Sequence, residues 1–210
     1  QIQFIRADIR EPREAAAAAA GGGAVINLVG AGSWQPYRLA AKLRALETIF
    51  AVPLSPGRAA ELAAFTAREG QPLQDFALWC ALEEHYAGAP RPDEAWDIDS
   101  PLVADLRGRL APRVRFYVWL QWIADQQVED AHAAAKASGM AIGIMHDLAV
   151  GVHQRGSDAW SLRRMYAPGM AVGAPPDMYN QQGQTWNQPP WLPEALAESG
   201  YAPLRDMIRT

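Results

Sequence analysis

The stretch Ala141-Ile142-Gly143-Ile144-Met145-His146-Asp147-Leu148-Ala149-Val150-Gly151-Val152 is apolar apart from the His146-Asp147 pair at its centre. Such a run suits a strand buried on both faces. The helical pattern before it ends at Gly139, so a helix feeds a strand, which is the α-to-β half of a barrel or a doubly wound sheet. Polar residues toward the carboxyl end of a barrel strand tend to be functional. An ionised Asp147 in an apolar strand must be paired or hydrogen-bonded, since an isolated buried carboxylate is strongly disfavoured. His146 reads as a satisfied, partly buried histidine. Its spacing to His132 and His153 matches no metal motif, so no metal is expected.

Upstream of this run, residues 36–112 read as a helical subdomain. Leu39, Leu43, Leu46 and Phe50 share one helical stripe. Ser55-Pro56 starts a second helix as N-cap and first-turn proline, with Leu62 and Phe65 facing inward and Gly70 as its end. A third is expected over Leu73–Ala87, with Phe76, Trp79 and Cys80 on its apolar side and Gly88 as its stop. After an acidic, proline-containing connector, Ser100-Pro101 caps a helix carrying Leu102, Leu106 and Leu110. Phe116, Trp119, Leu120 and Ile123 then make the core face of a helix that continues through Ala137, while Tyr117 and Gln121 lie on another side.

Residues 1–33 have a different rhythm. Ile2, Phe4 and Ile5 open a strand, Ala15 to Ala20 a helix ended by Gly21 to Gly23, and Ala24 to Val29 a second strand, which makes a short βαβ-like segment. Within it, Arg6-Ala7-Asp8-Ile9-Arg10-Glu11-Pro12 and Ala24-Val25-Ile26-Asn27-Leu28-Val29-Gly30 resemble part of an extended short-chain dehydrogenase or epimerase. That resemblance implies adenine contacts at Asp8 and Ile9, with Val29 beneath a dinucleotide. The glycine-rich phosphate loop of that family is not among these residues, so no cofactor is expected.

Downstream, residues 169–191 combine Gly, Pro, amide side chains and aromatics with almost no charge. Aromatic faces stack on the C–H face of a pyranose and amides bond its hydroxyls, so a sugar-facing loop and a plain proline-rich loop both fit this composition.

The whole chain has 210 residues, 19 Lys and Arg against 23 Asp and Glu, and a net charge of −4. Nothing in that balance drives counterion release from a phosphate backbone, so nucleic acid is not an expected partner. The single cysteine, Cys80, excludes an intrachain disulfide and fits a reducing cytoplasm. No apolar run approaches the roughly 20 residues that cross a bilayer, so no membrane association is expected.

From about Leu39 to Thr210 the chain resembles the amylomaltase family, the 4-alpha-glucanotransferases. Four motifs in order carry this: Asp75-Phe76-Ala77-Leu78-Trp79-Cys80-Ala81-Leu82, Phe116-Tyr117-Val118-Trp119-Leu120-Gln121-Trp122, Gly143 to Val152, and Gly173-Ala174-Pro175-Pro176-Asp177 through Gly183-Gln184-Thr185-Trp186. The resemblance implies a helix-rich α/β fold, here an incomplete (β/α)8 barrel over 113–210 with an inserted helical subdomain. It implies α-1,4-glucans and maltooligosaccharides as partners and a retaining transfer through a glucosyl-enzyme, which needs two carboxyls about 5 to 5.5 Å apart. Asp147, Asp177, Tyr179, Gln184 and Trp186 match its substrate contacts, and Met178 departs from the aromatic often found there. The family's Arg-x-Asp-His nucleophile motif is not in these 210 residues. The catalytic carboxylates are therefore expected beyond Thr210, and open sheet edges are expected to favour self-association. The alternatives are a dinucleotide-binding dehydrogenase-like module and a non-catalytic carbohydrate-binding domain.

Overall fold

The computed structural model describes residues 36–87, 89–146, 149 and 151–208. The elements run α1 (Pro36–Phe50), α2 (Pro56–His85), a 3-10 turn (Asp93–Trp96), α3 (Pro101–Arg109), α4 (Ala111–Ala137), α5 (Ser157–Ser161), β1 (Val172–Ala174), β2 (Gln184–Gln188), α6 (Pro193–Glu198) and α7 (Ala202–Ile208). Among the described residues no helix is long and apolar enough to cross a membrane.

Local chemistry sets the helix ends. Ser55 Oγ accepts from Arg58 N at 3.3 Å, and Ser100 Oγ accepts from Val103 N at 3.1 Å, each satisfying an amide that the first turn leaves without a partner. Gly70 interrupts α2 at φ 61° and ψ −140°, a conformation that disfavours any residue with a Cβ, and Pro72 follows in the turn where its missing N–H costs nothing. At the end of α4, Gly139 takes φ 99° and its N–H donates to Lys136 O at 3.0 Å, while Met140 N donates to Ala135 O at 3.2 Å.

The described chain divides into two compact units, one drawn from 36–70 and 115–144 and the other from 71–114 and 145–208. Each thus takes residues from both sides of position 112. In the first, Leu46, Phe65, Phe116, Trp119 and Trp122 are buried. The Phe50 ring meets Phe116 edge-on and Trp119 at a tilt, both at 5.4 Å, an arrangement that suits the ring quadrupoles. Arg58 lies 4.0 Å over the Trp122 ring and donates to Gln126 Oε1 at 2.7 Å, so its aliphatic stem and its charge are both used.

In the second unit the buried face of α2 is Leu73, Ala77, Leu78, Ala81 and Leu82. This corrects the expected face: Phe76, Trp79 and Cys80 sit at its margin and are only partly buried. Small and aliphatic residues at i, i+4 and i+8 let the packing surfaces approach closely. Around Ala95, completely buried, Arg91 donates from Nε and Nη2 to its carbonyl at 3.2 and 2.7 Å, and Trp160 Nε1 donates to the same oxygen at 3.2 Å. The Arg91 guanidinium lies 4.1 Å from the Trp96 ring and 5.6 Å from the Trp160 ring, and Nη1 pairs with Glu83 at 2.7 Å. Burial pulls the Arg91 pKa down, against the upward pull of Glu83.

The strand expected over 141–152 is not formed by its described residues. Gly143 takes φ 89°, outside the β region, and the amide of Ile144 donates to His132 Nδ1 at 3.3 Å instead of to a neighbouring strand. A Cβ at Gly143 would lie 2.6 Å from the His132 ring, so the close approach depends on glycine. Ile142 and Met145 are exposed, and so is His146, contrary to the partly buried setting expected for it. Among the described residues the strands are β1 and β2, paired antiparallel, and no parallel pair occurs.

Candidate functional site

The block 169–191, expected to be one long loop, contains this hairpin. Val172 pairs with Gln188, Gly173 with Thr185 and Ala174 with Gln184, with a register shift between Val172 and Gly173. Two glycines permit it. A Cβ on Gly173 would lie 2.0 Å from the Gln184 carbonyl oxygen, and one on Gly183, at φ 73°, would lie 2.8 Å from the Ala174 carbonyl oxygen. Asn187 takes φ 53°, a left-handed conformation that asparagine tolerates better than most residues.

The connecting loop is closed by its own polar groups. Asp177 Oδ1 accepts from the amides of Tyr179 at 2.8 Å and Asn180 at 2.6 Å, Asp177 N donates to Asn180 O at 3.0 Å, and Gly183 N donates to the same carbonyl at 3.1 Å. This Asx-type turn carries Met178, 81% exposed, and Tyr179, 91% exposed, at its tip. On β2, Trp186 is 46% exposed and its Nε1 donates to Gln184 Oε1 at 3.2 Å. Asp177, Tyr179, Gln184 and Trp186 therefore belong to one hairpin.

The other expected site residues are distributed differently. Asp147 lies outside the described residues, as do Asp8, Ile9 and Val29. Four positions beyond Asp147, Gly151 lies against the Gln188 side chain, with a hypothetical Cβ 2.7 Å from Oε1, which ties the segment after the His-Asp pair to the end of β2. Trp191 does not face outward with Trp186. It stacks on buried Tyr166 at 4.1 Å and bridges it through the backbone, so it anchors the base of the hairpin. Tyr117 packs edge-on against Phe116 at 5.5 Å, and neither it nor Gln121 is freely exposed. Among the described residues no group of three or more His, Cys, Asp and Glu could hold a metal ion. The residues that sequence reading missed are Gly173, Gly183, Gly151 and Asn187. The first two were visible as the glycines bracketing the loop, but their role depends on cross-strand distances.

A nearly uncharged, amide-rich hairpin bearing exposed aromatic rings has the chemistry of a carbohydrate-facing surface. Comparison with known proteins gives the class. The profile of the 4-alpha-glucanotransferases matches residues 34–210, and the chain belongs to this family. The 4-alpha-glucanotransferase of Mycobacterium tuberculosis is 48% identical over 172 residues, which is 81% of this chain and 24% of that protein. The crystal structure of amylomaltase from Corynebacterium glutamicum is similar at a TM-score of 0.68 and 48% identity, over 81% of this chain and 22% of that one. An amylomaltase from Streptococcus agalactiae, solved in complex with acarbose, shares the fold at a TM-score of 0.67 and 19% identity, over 88% of this chain and 38% of its own. The chain thus spans about a quarter of the length of these curated relatives. The family match begins after residue 33, and the short-chain dehydrogenase resemblance of residues 1–33 receives no support from these similarities.

Proposed function

We propose that this chain supplies the helical insertion and the glucan-facing hairpin of a cytoplasmic 4-alpha-glucanotransferase, which moves α-1,4-glucan segments between maltooligosaccharides by a retaining mechanism. On this reading 36–112 is the helical subdomain and 113–210 the early part of a (β/α)8 barrel. The substrate-binding set on this reading is Asp147, Asp177, Tyr179, Gln184 and Trp186, with Asp177 serving it through the loop that carries Tyr179. Self-association through unpaired backbone edges belongs to the same reading.

The observation that carries it is the half-exposed Trp186 ring held by Gln184 on the hairpin that also presents Tyr179. A stacking face beside amide donors is what a pyranose ring with its hydroxyls requires. The retaining chemistry needs a nucleophile and an acid/base carboxyl, and the Arg-x-Asp-His motif is not in this sequence. Binding without turnover is therefore expected. Titration with maltoheptaose will change the tryptophan fluorescence, and Trp186→Ala will remove that response. Disproportionation of maltotriose by the purified 210-residue chain, or an unchanged response in Trp186→Ala, would overturn the reading.

A further inference from the structure

We propose that Asp177 is a positioning residue which holds Tyr179 in a preformed, outward-facing loop, and that it does so through Oδ1 as a backbone acceptor rather than by offering its charge to a sugar. The proposal rests on the glucan-facing reading of the hairpin and assigns a division of labour within it.

Three observations converge. Oδ1 receives two amides, at 2.8 Å from Tyr179 N and 2.6 Å from Asn180 N, so a single acceptor atom ties down the backbone of both residues. The backbone closes the same turn in the opposite sense, with Asp177 N donating to Asn180 O, and Gly183 N donating to that carbonyl from the far side of the loop. The two residues enclosed by these bonds, Met178 and Tyr179, are among the most exposed large side chains of the described chain. A nine-residue connection between β1 and β2 would otherwise be free to fold its aromatic inward or to sample many states. With the amides fixed, the backbone on either side of Tyr179 is ordered before any ligand arrives, and the ordering cost of binding falls on the solute and the phenol rotamer alone.

Two substitutions separate the brace from a charged sugar contact. Asp177→Asn keeps an Oδ1 acceptor and removes the charge, whereas Asp177→Ala removes both. Residue-resolved amide exchange by NMR, without sugar, reads the brace directly. Protection of the Tyr179 and Asn180 amides is expected in the wild-type chain and in Asp177→Asn, and its loss in Asp177→Ala. Maltoheptaose titration reads the consequence: about tenfold weaker association for Asp177→Ala and a change under about threefold for Asp177→Asn, as expected when one pre-ordering contact is lost or kept. Equal weakening in both variants would make the charge the working element and overturn the proposal, as would unprotected amides in the wild-type chain. If the wild-type chain shows no sugar response, the glucan-facing reading fails on that result, and the exchange pattern still decides whether Asp177 holds the loop.

Discussion

The indole N–H of Trp186 donates to Oε1 of Gln184 at 3.2 Å, and the two residues lie on one face of β2 because side chains in a strand repeat every second position. The bond fixes the tilt of a ring that is half open to solvent, and it occupies the amide oxygen while leaving the two N–H donors of Gln184 available. Removing the acceptor in Gln184→Ala is expected to weaken maltoheptaose association about fivefold, the size of one net hydrogen bond. Trp186→Phe keeps a stacking face without the N–H and is expected to fall between wild type and Trp186→Ala. Isothermal titration, which does not depend on the ring being changed, checks all three. Equal affinities for Gln184→Ala and wild type would show that the ring orients itself.

Gly173 and Gly108 give a matched contrast. At Gly173 a methyl group would meet the Gln184 carbonyl at 2.0 Å, with no flexible side chain to yield, whereas at Gly108, in the last turn of α3, nothing lies within 4 Å. Gly173→Ala is expected to break β1 from β2, because a two-strand hairpin has little pairing energy to oppose such a clash. The helical circular dichroism will persist while the sugar response disappears. Gly108→Ala is expected to raise stability by about 0.4 to 1 kcal/mol by restricting the unfolded chain, read as a higher urea midpoint.

The features that were legible in the sequence are those decided by chemistry within a few residues. The caps at Ser55 and Ser100 and the stop at Gly139 appear where expected, since each depends on one side chain or one φ value and a nearby backbone group. The family was legible from four ordered motifs, and the block 169–191, singled out by its composition, is where the exposed Trp186 and Tyr179 occur. What was not legible depends on partners distant in sequence. The run after Gly139 has strand composition, but His132 takes the Ile144 amide and Gly143 turns the backbone at φ 89°. The face of α2 was misplaced because large rings at Phe76 and Trp79 outweigh Ala77 and Ala81 in hydrophobicity while the small residues give closer packing. Trp191 looked like Trp186 in composition, and only the Tyr166 stack separates their roles.

The Ala95 carbonyl shows how a polar group can be buried without penalty. It receives Nε and Nη2 of Arg91 and Nε1 of Trp160, and the guanidinium is flanked by the Trp96 and Trp160 rings. Lysine cannot reproduce the two parallel N–H bonds or the planar stack. Arg91→Lys is therefore expected to destabilise the chain by about 1 to 3 kcal/mol, and Trp160→Ala by about 3 to 5 kcal/mol because it also empties the space of a buried indole. Urea unfolding followed by circular dichroism measures both. Trp160→Phe, which keeps most of the volume and loses the N–H, is expected to cost less than either. A loss for Trp160→Phe as large as that for Trp160→Ala would assign the effect to the hydrogen bond rather than to packing.

Cys80 provides a prediction with a sign. Burial pushes its thiol pKa up to about 12, and the Glu83 carboxylate adds to the shift. In the unfolded chain a thiol ionises near about 8.5, so the folded state binds more protons than the unfolded state between that value and 12. The stabilisation is complete below about 8.5 and declines as pH rises, with a limiting slope of about 1.4 kcal/mol per pH unit from this one group. Tyr166 is shifted upward as well, by burial first and by Asp158 second, so its contribution enters above the ordinary tyrosine range near about 10. The interval from about pH 8.5 to 9.5 isolates the thiol. Across it the urea midpoint of the wild-type chain is expected to fall, and that of Cys80→Ala to stay nearly level from a lower starting value. Native Cys80 is likewise expected to react with iodoacetamide at pH 8 more than tenfold more slowly than the urea-unfolded chain, because the thiolate is the nucleophile. Equal labelling rates in the two states would place the thiol in water.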